Sequence, residues 1–175
     1  MKNLFIIVGL AIIPLAAVAD WGMSYSLGQT DPKWHGSDNA RAHRLALVYP
    51  LPMQENLLTR NRLGINLELA YHYWQDYTPS DNHGVSIIPL LTYQYPFDNL
   101  SLFLEGGIGI TYIDSEHYLD RSLGSRWQFE DRLGAGIIFQ KHHKLGLSFT
   151  HYSNANLANE NDGFNVIGLS YGYFW

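Results

Sequence analysis

Two side chains able to carry out ester hydrolysis, His151 and Ser153, stand two positions apart near the end of the sequence. Residues 145–156 alternate between apolar and small polar side chains, which predicts a β-strand because successive strand residues point to opposite faces. His151 and Ser153 therefore share the apolar face, about 7 Å apart at the backbone. A histidine that takes the serine proton would make the serine oxygen a nucleophile towards an ester.

The same pair also has a purely structural interpretation. His-x-Ser occurs by chance in many strands, and polar residues often mark the edge of an apolar strand face. On spacing alone the structural interpretation is favoured. Whether the apolar face contacts a protein core or lipid distinguishes the two interpretations.

Seven further stretches show the same period of two. They begin near residues 21, 42, 64, 85, 102, 127 and 166. One face of each stretch carries Leu, Ile and aromatic residues, whereas the other carries mainly Gly, Ser, Thr and Asn. A soluble sandwich would expose Lys and Glu on that second face. The pattern predicts an all-β fold, an eight-stranded antiparallel transmembrane β-barrel with its apolar side chains outside.

A few charged residues fall on the predicted inward faces, namely Glu68, Glu105, Glu130 and Arg132. A small barrel is filled by side chains rather than left as a pore. Buried charges need partners, so we expect these residues to form a structural network of ion pairs.

The first 19 residues have the layout of a signal peptide, with Lys2, an apolar run over residues 4–13 and small residues at 17–19. Residues 20–175 would then form a single barrel domain. The chain has no cysteine and therefore no disulfide, and its formal net charge of -5 argues against binding to nucleic acid. No spacing of histidine, cysteine and aspartate suggests a metal, so we expect neither a metal nor a cofactor.

The run of residues 151–155, His-Tyr-Ser-Asn-Ala, resembles the outer-membrane lipid A 3-O-deacylase (PagL) family, as do the following polar loop with Asn161 and Gly163 and the final aromatic strand. Residues 129–132, Phe-Glu-Asp-Arg, are similar to the same family. The resemblance implies an eight-stranded barrel in the outer membrane of a Gram-negative cell. Its Ser-His-Glu site would lie on the lipid-facing exterior near the extracellular leaflet. There it would remove the 3-position hydroxyacyl chain from the lipid A of lipopolysaccharide.

The same resemblance implies a role for individual residues. Ser153 would be the nucleophile, His151 the general base, and Asn154 with backbone amides near Asn156 would stabilise the oxyanion. The family's glutamate, which orients the histidine, falls on Asn165. An aspartate-to-asparagine change in serine proteases costs about 10⁴ in rate, yet Cys-His-Asn sites use asparagine in this role.

Two carboxylates are alternative orienters of His151. Asp131 is the only charge on the outward face of its strand, and a turn at residues 141–144 would place it close to Ser153. Glu160 lies in the loop that follows Ser153. We rank Asn165 first, Asp131 second and Glu160 third, because an interfacial or loop acid is usually just solvated.

The sequence therefore predicts a serine esterase that acts on lipid A. A non-catalytic outer-membrane barrel with a structural or adhesive role is the alternative if Asn165 marks a degenerate site, and a periplasmic lipid-binding barrel is a third. Arg41 and His43, near the end of the second strand, could contact lipid A phosphates, although barrel ends are commonly charged. The sequence leaves open whether the barrel forms a homodimer.

Overall fold

The computed structural model describes residues 21–30, 40–53, 60–75 and 81–175. The signal peptide expected at residues 1–19 lies outside these ranges. The strands are β1 (Gly22–Thr30), β2 (Arg41–Pro50), β3 (Leu63–Trp74), β4 (Asn82–Phe97), β5 (Leu100–Ile113), β6 (His117–Tyr118), β7 (Arg121–Ser122), β8 (Trp127–Phe139), β9 (His143–Ser153) and β10 (Phe164–Phe174).

Eight of these strands close into one barrel in the order β1, β10, β9, β8, β5, β4, β3, β2, with every neighbouring pair antiparallel. The barrel closes because β1 pairs on both sides: Tyr25 lies opposite Leu45 of β2 and opposite Tyr171 of β10. Closure leaves no barrel strand with an unpaired edge, which a lipid environment demands. The predicted all-β, eight-stranded antiparallel barrel is confirmed.

The outer face of the barrel is apolar and open to its surroundings. Leu133 of β8 and Leu147 of β9 are 65% and 63% exposed, and leucine, isoleucine and aromatic residues continue this surface around the barrel. A continuous apolar belt of this kind fits lipid rather than water. Among the described residues, no helix is long and apolar enough to cross a membrane.

The barrel interior holds a connected set of charges. Glu68 Oε2 lies 2.8 Å from Arg44 Nη1 and 2.7 Å from Arg132 Nη1. Arg44 Nε is 3.5 Å from Glu130 Oε1, and Arg132 Nη2 is 3.8 Å from Glu105 Oε1. The predicted structural network of ion pairs is confirmed, and Arg44 joins the four residues expected from the sequence.

Pro89 lies inside β4, where a proline was expected to cost a ladder bond or cause a bulge. The β4–β5 pairing is interrupted between Ile87, opposite Ile110, and Leu91, opposite Gly106, and it resumes in the same register. Proline has no N–H to donate, so the local loss of pairing is its direct consequence.

The two ends of the barrel differ. Connections 114–126 and 154–163 lie at one end, here called the long-loop end, where β1 and β3 also end and β2 and β4 begin. The connection expected to be a plain loop at 114–125 contains the β6–β7 hairpin, whose Tyr118 is buried with its ring centroid 4.6 Å from that of Phe164. Leu123, just after β7, is also buried. The hairpin therefore caps the barrel beside the connection that follows Ser153.

Candidate active site

His151 and Ser153 lie on the outer face of β9 at the long-loop end, and both are half-buried. The neighbouring strands place Asn165 of β10 and Asp131 of β8 on either side of His151. Phe129 of β8 lies opposite Ser153. The register thus assembles one histidine, one serine, one amide and one carboxylate on the lipid-facing wall.

Asn165 contacts His151 directly. The Oδ1 atom of Asn165 lies 2.7 Å from Nδ1 of His151. An amide oxygen can only accept, so this contact puts the proton of a neutral imidazole on Nδ1 and leaves Nε2 free to take a proton. Asn165 is only 4% exposed, whereas Ile167, its next outward neighbour on β10, is 51% exposed. The histidine and its surroundings cover the amide.

Asp131 lies opposite His151, whereas the sequence predicted a position close to Ser153. The sequence placed it close to Ser153, but β8 and β9 pair from Phe139 opposite His143, which sets Asp131 opposite His151. The turn between the strands is tighter than predicted. Gln140 and Lys141 make it with φ of 50° and 66°, and neither residue type signals such a conformation.

The N–H groups of Asn154, expected to help bind an oxyanion, are engaged elsewhere. Its Nδ2 donates to the carbonyls of Leu123 at 2.8 Å and Glu160 at 2.6 Å, and its backbone N–H donates to Oδ1 of Asn161 at 2.9 Å. Asn154 is buried under the β6–β7 hairpin. In this arrangement it anchors the loop and has no donor left for a substrate.

The other member of the expected oxyanion pair, Asn156, lies in a tight turn. The N–H of Leu157 donates to the carbonyl of Asn154 at 3.0 Å, and the central residues Ala155 and Asn156 have φ of 54° and 61°. Oδ1 of Asn156 also accepts from Asn161 Nδ2 at 3.2 Å. Asn161 therefore ties together both asparagines that the sequence named.

Glu160, the third-ranked orienter, belongs to a contact between loops. Its carboxylate accepts a hydrogen bond from the Ser122 hydroxyl at the end of β7. The neighbouring Asp162 accepts from the Ser122 backbone N–H at 2.7 Å. Since His151 Nδ1 is already paired with Asn165, the structure brings Glu160 to the cap and not to the imidazole.

Gly163 brings the returning chain against the His-Ser pair. It has a φ of +58°, and a Cβ there would lie 2.8 Å from the Tyr152 carbonyl, 3.4 Å from His151 Cε1 and 3.6 Å from Ser153 Cβ. Its carbonyl accepts from Nη1 of the buried Arg121 at 3.1 Å. Sequence reasoning missed Arg121, because an arginine in a polar connection gives no sign that it is buried.

A groove of about 380 Å³ lies near the end of β9 and is lined in part by Asn154, the residue that follows Ser153. Its apolar wall comes from Ile110, Trp127, Phe129 and Leu157, and Phe129 is the residue opposite Ser153. An apolar groove next to a potential nucleophile can hold the hydrocarbon chain of an ester. The site therefore combines a serine, a histidine that contacts an amide, and an apolar groove suited to a hydrocarbon chain.

Known proteins share both the sequence and the fold. The family model described as lipid A 3-O-deacylase (PagL) matches residues 41–174. The lipid A deacylase PagL of Pseudomonas aeruginosa is 29% identical over 175 residues, which is 98% of both chains. The lipid A deacylase PagL of Bordetella bronchiseptica is 32% identical over 115 residues, 64% of this chain and 63% of its own.

Two solved structures are similar to the fold of this chain. The crystal structure of the outer membrane enzyme PagL matches with a TM-score of 0.76 and 30% identity, over 86% of this chain and 97% of that one. Neisserial surface protein A matches with a TM-score of 0.55 at 13% identity, over 89% of this chain and 94% of that one, which shows the barrel fold alone. The family match over most of the barrel, together with its lipid-facing wall, leads to one conclusion: this outer-membrane β-barrel belongs to the lipid A 3-O-deacylase (PagL) family.

Proposed function

We propose that the protein is a serine esterase that removes the 3-position hydroxyacyl chain from lipid A, with Ser153 as nucleophile and His151 as general base. The observation that carries this proposal is the 2.7 Å contact between His151 Nδ1 and Asn165 Oδ1 on the same outer face as Ser153. The contact prepares Nε2 of His151 to accept a proton. A substrate that is itself a membrane lipid can contact only side chains on the outer face of the barrel.

The topology supports a position for the site near the extracellular side of the membrane. β1 begins and β10 ends at the end opposite the long loops, and an even number of strands returns the chain to the same side. With that side in the periplasm, the long-loop end is extracellular. His151 and Ser153 then lie at the level of the outer leaflet, where lipopolysaccharide is found.

The reaction has two halves. Ser153 Oγ attacks the acyl carbonyl carbon while His151 Nε2 takes its proton, and the ester C–O bond then breaks as His151 returns that proton to the sugar oxygen. In the second half, a water deprotonated by His151 attacks the acyl-serine ester. The hydroxy fatty acid leaves and Ser153 recovers its proton.

Asn165 positions the imidazole in this mechanism, but its amide cannot neutralise the imidazolium that forms. The carboxylate of Asp131 faces His151 from the other side and is half-buried. A carboxylate in such a place can stabilise the positive charge that the imidazole gains during the reaction. We therefore assign the orienting role to Asn165 and the charge-stabilising role to Asp131.

The oxyanion would be stabilised by backbone amides of the turn after β9. The N–H groups of Ala155 and Asn156 lie at the centre of that turn, one and two residues beyond Asn154. The hydrogen bonds of Asn154 to Leu123 and Glu160 hold the start of the turn in place. Preorganised backbone donors of this kind commonly supply oxyanion holes.

Mass spectrometry of lipid A tests the proposal. Lipopolysaccharide is incubated with the purified protein in detergent, and the wild type should lower the lipid A mass by one hydroxyacyl chain. Ser153→Ala should leave the mass unchanged. Ser148→Ala is the matched control, because Ser148 lies on the same strand but on the opposite face, towards the barrel interior.

A second matched pair tests the base. His151→Ala should abolish the mass change, whereas His143→Ala should preserve it, since His143 lies on the same outer face at the other end of β9 and contacts the Tyr171 hydroxyl. Unchanged lipid A with the wild type would instead favour the non-catalytic barrel, in which Asn165 marks a degenerate site.

A further inference from the structure

A second groove lies in the outer wall on the other side of His151. It spans β2, β1, β10 and β9, and its volume is about 600 Å³. Its floor is formed by leucine and isoleucine side chains, namely Leu27, Leu147, Ile167 and Leu169. Each of them is exposed to the membrane side. This floor is suited to hydrocarbon chains lying flat against the barrel.

The long-loop end of the groove is polar and positively charged. Arg41 is exposed there and lies opposite Gln29, which also lines the groove. None of the ion pairs between described residues includes Arg41. The groove therefore joins an apolar floor to a guanidinium group that no carboxylate of the described chain neutralises.

Two other polar residues lie near Arg41 but do not line the groove. The backbone N–H of Gln75, at the end of β3, donates to the Arg41 carbonyl at 2.8 Å, which places a second glutamine next to Arg41 in the wall. His43, the next outward residue of β2, has its Nδ1 2.7 Å from the Tyr25 hydroxyl. Arg41 is thus the cation available to a ligand in this groove.

The groove adjoins the candidate active site. Gln29 lies opposite Ile167 of β10, and Ile167 is the next outward residue after Asn165, which contacts His151. A lipid with several chains and a charged headgroup could therefore place one chain in the groove beside Phe129 and its remaining body in this second groove. The His-Ser pair would stand between them.

We propose that this second groove binds a phosphate group and acyl chains of the lipid that is hydrolysed, with Arg41 and Gln29 on the phosphate oxygens. This inference rests on the proposed function, since it identifies the ligand as the substrate. Guanidinium groups bind phosphate through paired N–H donors. Basic groups at the level of lipid headgroups recognise phosphorylated lipids in the same way.

Steady-state kinetics on two lipids test the proposal. Lipid A and the same lipid A with its phosphates removed are compared in nonionic detergent at low ionic strength, where exposed charges are least screened. The wild type should show a KM about three- to tenfold lower for the phosphorylated lipid. Arg41→Gln should erase that difference without changing kcat, and Arg41→Lys should keep part of it.

Arg126→Gln is the matched control. Arg126 is an exposed arginine in the connection before β8, with its Nη1 3.4 Å from the Tyr112 hydroxyl. It should leave the preference for the phosphorylated lipid intact. Equal KM values for the two lipids in the wild type would overturn the proposal, as would an Arg126→Gln effect equal to that of Arg41→Gln, which would indicate general charge attraction.

A binding experiment separates this inference from the catalytic proposal. The Ser153→Ala protein is mixed with each lipid, and bound lipid is counted by native mass spectrometry. Stronger retention of the phosphorylated lipid, lost on adding Arg41→Gln, supports the groove even if the wild type hydrolyses neither lipid. Displacement of lipid A by an equimolar amount of phosphatidylglycerol would overturn it, because the groove would then be a general phospholipid site.

Discussion

The Nδ1 atom of His151 lies 2.7 Å from the Oδ1 atom of Asn165, across the β9–β10 ladder. An amide therefore occupies the position at which the sequence resemblance implied an orienting glutamate. The amide fixes the tautomer and the direction of the ring, but it adds no negative charge. Orienting the ring and stabilising its positive charge are therefore separate roles in this site.

Asn165→Leu should lower kcat about 10²-fold, because the imidazole loses the acceptor that holds its proton on Nδ1. KM should change little, since the amide is buried and does not line either groove. Asn165→Glu should keep or raise kcat, because a carboxylate accepts the same hydrogen bond and stabilises the imidazolium. Wild-type kcat in Asn165→Leu would show that the contact has no catalytic role.

Asp131→Asn should lower kcat by about three- to tenfold if its charge stabilises the imidazolium of His151. The effect should be smaller when Asn165→Glu is already present, because the new carboxylate then stabilises the imidazolium even without the charge of Asp131. Asp98→Asn, in the turn between β4 and β5 at the far end of the barrel, serves as the control. Equal losses from Asp131→Asn in both backgrounds would rule out this shared role.

Gly163→Ala should lower activity at least about tenfold, whereas the free energy of unfolding of the barrel should change by no more than roughly 2 kcal/mol. The added Cβ would meet the Tyr152 carbonyl at 2.8 Å, and the residue has a φ of +58°, so the loop must move away from His151. Gly64→Ala is the matched control, since a Cβ at that position meets nothing within 4 Å. Activity retained in Gly163→Ala would mean that the loop need not pack against the pair.

Arg121→Ala should resemble Gly163→Ala, because its guanidinium holds the Gly163 carbonyl at 3.1 Å. A positioning role predicts a fall in kcat with little change in KM, and partial rescue by Arg121→Lys, which retains a donor. Glu116→Gln, an exposed change in the same connection, should have no effect. A raised KM with normal kcat would instead indicate that Arg121 contacts the substrate.

Glu68→Leu should destabilise the barrel by about 3–5 kcal/mol, because it leaves Arg44 and Arg132 without the carboxylate they share. The urea midpoint for loss of the folded form on unheated gels measures this effect. Activity of the folded fraction should stay normal, since these charges are inside the barrel and the site is outside. An unchanged midpoint would mean that the interior charges find other partners.

Much of this architecture could be predicted from alternation alone. The period of two in β9 and β10 correctly put His151, Ser153 and Asn165 on the face shared with Leu147 and Ile167, because that face is set by the pleat and not by partners. The same logic placed the interior charges. Strand pairing follows from sequential hairpins in a barrel with an even number of strands.

Other features could not be predicted, for physical reasons. The register of Asp131 depends on a turn made by Gln140 and Lys141 at positive φ, a conformation that neither side chain favours. The side-chain amide of Asn154 donates to the backbone carbonyls of Leu123 and Glu160. Every residue has such a carbonyl, so residue types cannot identify these partners. The β6–β7 hairpin has strands of two residues each, too short to show a period.

Chemical labelling identifies which serine of the protein is nucleophilic. A fluorophosphonate probe, which labels activated serines, is added to the protein in detergent, and the labelled peptides are mapped by mass spectrometry. We expect label on Ser153 alone, with labelling slowed by excess lipid A and slowed about 10²-fold or more in His151→Ala. Labelling at another serine, or lipid A hydrolysis by a Ser153→Ala protein, would contradict it.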